Sequence, residues 1–186
     1  MIVMVLIGMP GCGKSTLARQ FCVESAGTFE HISSGAIAAQ LSEHDPQTQQ
    51  ALQLGHYAPE AAIRMEVMAR IERASVQGKN VLLEGFPRKL EQVIVLEKGL
   101  KRPPLYVQVT CPAYVCLQRI QERGREHDEP DAIASRFEAF YKDTAPMLQV
   151  LADGGNFCEL DNGQDVHEAL SALKMRSVGQ SMGSIK

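Results

Sequence analysis

A glycine-rich segment near the start of the chain constrains the fold more than any other feature of the sequence. Residues 8–16 read Gly-Met-Pro-Gly-Cys-Gly-Lys-Ser-Thr and directly follow the apolar run Ile2–Ile7. They match the spacing G-x-x-x-x-G-K-[S/T], whose defining positions here are Gly8, Gly13, Lys14 and Ser15. An amphipathic stretch comes next, so the segment has both the strand before it and the helix after it that this motif requires.

The residue types of this segment suit the binding of a phosphate chain. Glycines let the backbone turn sharply, so that its N–H groups and the N-terminus of the next helix face an anion. Lys14 adds a mobile positive charge near the phosphate that is transferred, and the Ser15 hydroxyl is a ligand for Mg²⁺. The segment therefore predicts a site for a nucleoside triphosphate, with Mg²⁺ as the cofactor.

Short apolar runs separated by helical patterns predict the rest of the fold. The runs are Ile2–Ile7, Phe29–Ile32, Val81–Leu83, Leu105–Val109 and Phe157–Leu160. Such an alternation is typical of a parallel sheet covered on both faces by helices. We therefore predict an α/β fold, a P-loop three-layer α/β/α arrangement with a five-stranded parallel sheet. Its ligands should bind beyond the carboxyl ends of the strands.

Length and composition narrow the class of protein and its compartment. A chain of 186 residues fits one compact domain, predicted over residues 1–175, and the serine- and glycine-rich residues 176–186 are predicted to form a flexible tail. The five cysteines contain no C-x-x-C pair, and the apolar start is too short for a signal or membrane segment. The net charge of −3 argues against nucleic acid binding. We expect a cytoplasmic monomer that binds neither nucleic acid nor a membrane.

Four arginines in the second half of the chain are candidates for a phosphate clamp. Arg119 and Arg123 are four residues apart, which puts both on one face of a helix, and Arg125 and Arg136 follow across a polar break. Phosphoryl transfer depends on fixed positive charge, and a guanidinium grips two phosphate oxygens at once. The alternative is a solvated face of ion pairs with the neighbouring glutamates. The glycine-rich segment in the same chain favours the clamp.

Glu84 ends a buried apolar run, where an unpaired carboxylate costs free energy. A magnesium ion on the Ser15 side of the site would offset that cost, so Ser15 and Glu84 are the predicted metal ligands. The alternative is a glutamate paired with a nearby lysine or arginine.

Taken together, the motifs resemble the adenylate kinase superfamily of nucleoside monophosphate kinases. The resemblance runs in order from residue 2 to about residue 173, and its most specific part is the D/E-G-F-P-R segment with a glutamine four residues later. The matching positions are residues 8–16, His31–Gly35, Leu83–Arg88 with Gln92, Arg119, Arg123, Arg125, Arg136, and Thr144 with Pro146.

The resemblance implies transfer of the γ-phosphate of ATP to a nucleoside monophosphate, most readily AMP. It implies that ATP is bound by Gly11, Cys12, Gly13, Lys14, Ser15 and Thr16, with Arg119 beside the adenine. It implies an acceptor site formed by Ser34, Gly35, Gly85, Arg88 and Gln92, in which Arg88 binds the phosphate. The implied catalytic set is Lys14, Arg88, Arg123, Arg125 and Arg136. No side-chain base is needed, because a monophosphate oxygen is already anionic.

Two mobile parts are also implied by the resemblance. One is an acceptor-binding excursion at about residues 33–62, and the other is a lid at residues 123–131. The lid is as short as in the short-lid members of the superfamily, which leaves no room for the long insertion and zinc site that other members carry. Closure of both parts would exclude water from the reaction.

The acceptor site departs from the family pattern. The family usually has Asp and, three residues later, Arg after its Ser-x-Gly segment, where this chain has Ala36 and Ala39. Arg64 is a candidate to compensate for the missing arginine. Glu84 replaces the commoner Asp, and Ser34 does not settle which base is bound.

Two alternative functions remain open on these residues. One is a small P-loop kinase that phosphorylates a metabolite hydroxyl, which would need a general base near the acceptor. The other is a nucleotide-binding module with weakened catalysis, which the alanines at 36 and 39 would suit.

Overall fold

The structure, a computed structural model, describes residues 1–124, 128–163 and 165–182, and side chains up to residue 179. The predicted catalytic residue Arg125 and part of the predicted lid lie outside these ranges. Within the described ranges, no helix combines the length and the apolar character that crossing a bilayer requires.

Five parallel strands form one sheet in the order β2-β3-β1-β4-β5. Their bounds are β1 Val3–Ile7, β2 Phe29–Ser33, β3 Asn80–Glu84, β4 Leu105–Thr110 and β5 Phe157–Asp161. Each strand lies at one of the predicted apolar runs, so the predicted parallel sheet is confirmed.

Helices connect the strands and cover both faces of the sheet. Their bounds are α1 Lys14–Glu24, α2 Ser34–Ser42, α3 Pro46–Gln53, α4 Glu60–Val76, α5 Leu90–Lys98, α6 Ala113–Arg123, α7 Pro130–Ala139, α8 Ala145–Ala152 and α9 Val166–Met182. A π-helical segment, Phe140–Thr144, joins α7 to α8.

The central strand β1 explains why its sequence is apolar at every position. Successive side chains of a strand point to opposite faces of the sheet. Val3 and Val5 enter the core cluster that also contains residues of α4, α5 and α8. Met4 and Leu6 enter the cluster that contains residues of α1 and α9. Because helices cover both faces, neither set of side chains meets water, which gives the three-layer arrangement.

The strand order brings three loops to one edge of the sheet. β1 lies between β3 and β4, and in the register of the sheet Glu84 of β3 pairs with Leu6 of β1 and with Ser33 of β2. The glycine-rich segment after β1, the start of α2 after β2 and the residues after Glu84 therefore leave the sheet side by side. This is the edge at which ligands of open parallel sheets bind.

The C-terminal segment differs from the predicted tail. α9 continues to Met182, beyond residue 176 where a flexible tail was predicted, and residues 183–186 lie outside the described ranges. Ala169, Leu170 and Leu173 are buried in the core and anchor the first half of α9. Once that half is formed, each further residue adds one hydrogen bond without a new nucleation cost.

One tight contact joins the residues between α3 and α4 to α7. Gly55 has φ +72°, and a Cβ placed on it would lie 2.4 Å from the backbone oxygen of Ala132. Ala132 is itself buried. The residues between α3 and α4 and the start of α7 therefore meet backbone to backbone, and a side chain at residue 55 would separate them.

We expect Gly55→Ala to lower the free energy of unfolding by about 1–3 kcal/mol more than Gly78→Ala does, the range typical of overpacking. Gly78 is a matched control, because its φ is also positive, +69°, but nothing lies within 4 Å of the position of its added Cβ. Both variants carry the left-handed backbone penalty, so their difference measures the contact with Ala132. Urea unfolding measures it, and equal losses in the two variants would contradict the packing described here.

Candidate active site

A cavity of about 660 Å³ lies at the carboxyl edge of the sheet. This volume is within the usual range of small-molecule sites. The predicted site residues that line it are Lys14, Ser34, Gly35, Gly85, Arg88, Gln92, Arg123 and Arg136. The cavity thus brings together residues of α1, of the predicted excursion, of the loop after β3 and of both sides of the predicted lid.

The phosphate loop turns where its glycines are. Gly13 has φ +91°, a left-handed conformation that glycine adopts without strain, and a Cβ on it would lie 2.3 Å from the amide nitrogen of Asn162. Immediately after it α1 begins at Lys14. The loop therefore delivers the chain directly into a helix N-terminus, whose free N–H groups favour an anion.

Lys14 folds back over this loop. Its Nζ donates to the backbone oxygens of Gly8 at 2.8 Å and Met9 at 2.9 Å, and lies 3.4 Å from the Cys12 sulfur. These neutral acceptors hold the ammonium group at the loop, and its charge acts on the nearby Glu84 carboxylate. A phosphate chain on the loop could replace them with stronger, charge-assisted contacts.

The other predicted ATP residues of the loop have distinct environments. Cys12 is buried and its N–H donates to Met9 O, and the N–H of Thr16 donates to Gly13 O. The Thr16 side chain is exposed on α1 and Gly11 continues the turn at φ +84°. Their assignment to ATP stays a prediction.

Glu84 is buried at the end of β3 and makes two side-chain contacts. The Ser15 hydroxyl donates to its Oε2 at 2.9 Å, and Nε2 of His31 lies 3.1 Å from its Oε1. Burial favours the neutral acid, but the hydrogen bonds from His31 and Ser15 and the charge of Lys14 outweigh it, so the pKa of Glu84 is lowered. The carboxylate is therefore ionised at neutral pH. The basic side chain that contacts the Glu84 carboxylate is His31, not the lysine or arginine considered from the sequence.

The Ser15 and Glu84 oxygens fit a magnesium ion. Mg²⁺ prefers hard oxygen ligands and is usually held by one or two carboxylates together with substrate phosphates. The described part of the chain holds no group of three or more His, Cys, Asp or Glu side chains placed to bind a metal, so an all-protein metal cage is not present there. The pair is thus suited to an ion that arrives with a nucleotide.

Arg88 is held at several points. Its Nε donates to the backbone oxygen of Gly85 at 2.6 Å, and its own N–H donates to Oε1 of Gln92 at 2.8 Å. The buried Thr144 donates from Oγ1 to the Arg88 oxygen at 3.1 Å. Thr144 lies in the π-helical segment, and its role at Arg88 was missed from the sequence.

Ser34 presents a buried hydroxyl to the same cavity. The residue is 3% exposed, and its Oγ makes no hydrogen bond with any described residue. A Cβ on Gly85 would lie 2.3 Å from that oxygen, so only glycine fits beside it. A buried hydroxyl without a partner costs free energy, which a polar atom of a ligand would recover.

Asp128 ties two of the predicted clamp arginines together. Arg123 donates from Nε to Oδ2 at 2.8 Å and from Nη2 to Oδ1 at 3.0 Å, and Arg136 Nη2 donates to Oδ1 at 2.8 Å. Burial acts to raise the pKa of Asp128, but these two guanidinium groups hold it well below its usual range. Asp128, which sits in the polar break, has no sequence pattern that could have identified it.

The ion pairs that two of these arginines make differ from the pairs with neighbouring glutamates that were considered from the sequence. Arg123 and Arg136 do form ion pairs, yet they do so with Asp128 at the wall of the cavity. Arg119 lies apart from them, beside the phosphate loop. Its Nη1 donates to the backbone oxygen of Asn162 at 2.8 Å.

Asn162 links this arginine to the loop and was also missed from the sequence. It is 3% exposed, and its side-chain amide donates to the backbone oxygen of Cys12 at 2.8 Å. One residue after β5 therefore contacts both parts of the predicted donor site. Nothing local in the sequence indicates it, because its partner lies 150 positions away along the chain.

Of the positions that depart from the family pattern, Ala36 and Glu84 do not line the cavity. Ala39 lines the cavity, and Arg64, the candidate to replace the missing arginine, does not. The prediction that Arg64 compensates is therefore not supported. Tyr57 does line the cavity, with the Cζ of Arg88 3.9 Å from the centre of its ring.

Comparison with known proteins agrees with the fold. The sequence profile of the adenylate kinase family matches residues 6–155. An adenylate kinase of Corynebacterium urealyticum is 33% identical over 153 residues, which cover 78% of this chain and 83% of that protein. Adenylate kinase isoenzyme 1 of Cyprinus carpio is 30% identical over 180 residues, covering 92% of this chain and 91% of that protein. Adenylate kinase 1 of a Nostoc strain is 30% identical over 179 residues, covering 92% and 96%.

Proposed function

Because this chain belongs to the adenylate kinase family of nucleoside monophosphate kinases, we propose that it transfers the γ-phosphate of ATP to a nucleoside monophosphate, with AMP as the leading acceptor. The observation that carries the proposal is that Lys14, Arg88, Arg123 and Arg136 line one cavity. With Lys89, five lysine and arginine residues of the described part of the chain line this cavity, which suits two phosphate-bearing ligands that meet there. AMP is preferred because the relatives reported above are named adenylate kinases.

The donor side is formed by the loop after β1. Backbone N–H groups of the loop and of the start of α1 would bind the phosphates, Lys14 would follow the γ-phosphate, and Arg119 would lie beside the nucleoside. Ser15 and Glu84 would hold Mg²⁺, which neutralises phosphate charge when it is bound. The hydrogen bond between Ser15 and Glu84 keeps both oxygens together before a nucleotide arrives.

The acceptor side is formed by the start of α2 and the loop after β3. Arg88 would bind the monophosphate through the Nη edge of its guanidinium. Gln92 uses its amide oxygen to accept from the Arg88 N–H, so its amide nitrogen is the group that would donate to the base. The unpartnered hydroxyl of Ser34 would supply a further polar contact to the acceptor.

The chemical step needs charge and alignment more than proton transfer. An anionic oxygen of the acceptor forms a bond to the γ-phosphorus, and the bond from that phosphorus to the bridging oxygen breaks, so that ADP leaves with the electron pair. Arg123 and Arg136 would stabilise the charge on the transferring group. The tight contact of Gly55 with Ala132 supports exclusion of water, since it closes the excursion against α7.

The alternative of a hydroxyl acceptor would have to use a carboxylate other than Asp128, such as Glu60, which also lines the cavity. Such a kinase needs a carboxylate free to take a proton. Asp128 lines the cavity, but two arginines engage it and its pKa is lowered, which makes it a poor base. The cytoplasmic location and monomeric state also remain expectations. The five cysteines are free thiols, as in a reducing compartment.

A panel of acceptors tests the proposed function. ATP turnover with Mg²⁺ should be fast only when a nucleoside monophosphate is present, and we expect AMP to give the highest kcat/KM among ribo- and deoxynucleotides. A chelator should stop the reaction. If no monophosphate accelerates ATP turnover, the kinase proposal fails. Calorimetry that shows an ATP site without a monophosphate site would then favour the binding module.

A further inference from the structure

Tyr57 lies against the guanidinium that faces the acceptor, and nothing in the family pattern discussed above assigns it a role. We propose that Tyr57 is a positioning residue for the acceptor phosphate, whose ring orients Arg88 and takes over from the missing second arginine. The inference rests on the proposed function, since it concerns the phosphate of a monophosphate acceptor.

The contact joins two segments that are distant in sequence. Tyr57 belongs to the stretch between α3 and α4, and Arg88 to the stretch between β3 and α5. The Cζ atom of Arg88 lies 3.9 Å from the centre of the Tyr57 ring, well inside the range of a cation–π interaction. Both side chains line the cavity, so the interaction lies inside the acceptor site.

The ring completes a set of constraints on the guanidinium. Gly85 O accepts from Nε at one edge, and the backbone of Arg88 is held on both sides by Gln92 and Thr144. The Tyr57 ring adds a contact in which Arg88 Cζ lies over the ring. What these contacts leave for a ligand is the edge that carries the two Nη groups, which is the edge that grips two phosphate oxygens.

The orientation of Arg88 matters more in this chain because the arginine that the family usually has at residue 39 is absent. Ala39 stands where the family usually places an arginine, and Arg64 does not line the cavity. Without an arginine at residue 39, more of the binding of the acceptor phosphate depends on how Arg88 is oriented. An aromatic face that fixes its orientation and displaces water from one side strengthens each remaining contact.

The test compares Tyr57→Leu with Tyr57→Phe. Leucine removes the aromatic face, and we expect the KM for the monophosphate to rise about 5–30-fold, the range of a partly buried cation–π contact. Phenylalanine keeps the face and should restore the KM to within about twofold of the original protein. The KM for ATP should not move in either variant, because the loop after β1 is the proposed ATP site, whereas Tyr57 contacts Arg88. Tyr114→Leu is the matched control, since Tyr114 is 74% exposed on α6.

Three outcomes of these measurements would contradict the proposed role of Tyr57. An unchanged acceptor KM in Tyr57→Leu overturns the proposal, and so does a Phe variant as impaired as the Leu variant, which would assign the effect to the hydroxyl. Equal increases in both KM values, with a lower midpoint of thermal unfolding, would show a merely structural role and also overturn it.

Calorimetric titration with AMP separates this inference from the proposed function. If the original protein binds AMP without turning it over, the proposed function fails, and weaker binding by Tyr57→Leu still supports the role of the ring. If Tyr57→Leu binds AMP as tightly as the original protein, the inference fails while the proposed function stands. If the original protein binds no AMP, both fail.

Discussion

Lys14→Ala is expected to lower kcat for phosphoryl transfer at least about 10²-fold, the usual cost of deleting a preorganised charge partner of the transition state. Lys14 is the only lysine of the phosphate loop, and its Nζ is held by the Gly8 and Met9 oxygens, not by a carboxylate. A group placed in this way can move with the γ-phosphate as its charge develops. The alanine variant leaves the loop backbone in place, so binding of ATP should weaken less than turnover.

A coupled assay for ADP formation at saturating ATP and AMP measures this effect. Lys98→Ala is the matched control, because Lys98 is an exposed residue in the last turn of α5. It removes the same charge far from the cavity and should leave kcat unchanged. Near-normal turnover by Lys14→Ala would remove the phosphate loop from the mechanism, whatever the fold.

Arg123→Ala is expected to lower kcat about 10³-fold, a loss of the size seen when an arginine that stabilises phosphoryl transfer is removed. Arg123 lines the cavity and is fixed by two hydrogen bonds to Asp128, which also holds Arg136. The shared carboxylate orders both guanidinium groups before substrates bind. The variant also removes one of the guanidinium groups that Asp128 binds. Part of the decrease in kcat would therefore come from a less ordered Arg136.

The pattern of the kinetic constants tells a transition-state role from a binding role. If Arg123 acts on the transferring group, kcat and kcat/KM should fall by similar factors, while the two KM values change little. Arg73→Ala is the control, because Arg73 pairs with Glu66 on the exposed side of α4. A variant with higher KM values and an unchanged kcat would place Arg123 in ground-state binding and refute the clamp.

The residues that could be found from the sequence share one property. Each belongs to a short segment whose pattern can be recognised from adjacent residues alone. The glycine-rich motif, the apolar runs and the Glu84–Arg88 segment are each readable over fewer than ten positions. Parallel strands then bring the carboxyl ends of these segments to one edge, so Lys14, Arg88 and Arg123 could be expected to meet. The structure places all three on one cavity.

The partners of those residues could not be found in this way. His31 faces Glu84, Asp128 joins Arg123 to Arg136, and Asn162 reaches the phosphate loop. Each is a polar residue whose importance comes from a neighbour on another element. Hydrophobic periodicity reports which face of a helix or strand is buried, but it does not report which element lies opposite.

The sequence by itself determined the class of fold and the position of the phosphate loop, because local turn chemistry and apolar patterning depend on adjacent residues. Only the tertiary structure decided how the loop and the cations are held. It placed Tyr57 against Arg88, paired Glu84 with His31, and closed Gly55 against Ala132. These are contacts between elements, and their geometry depends on how the whole chain packs around the sheet.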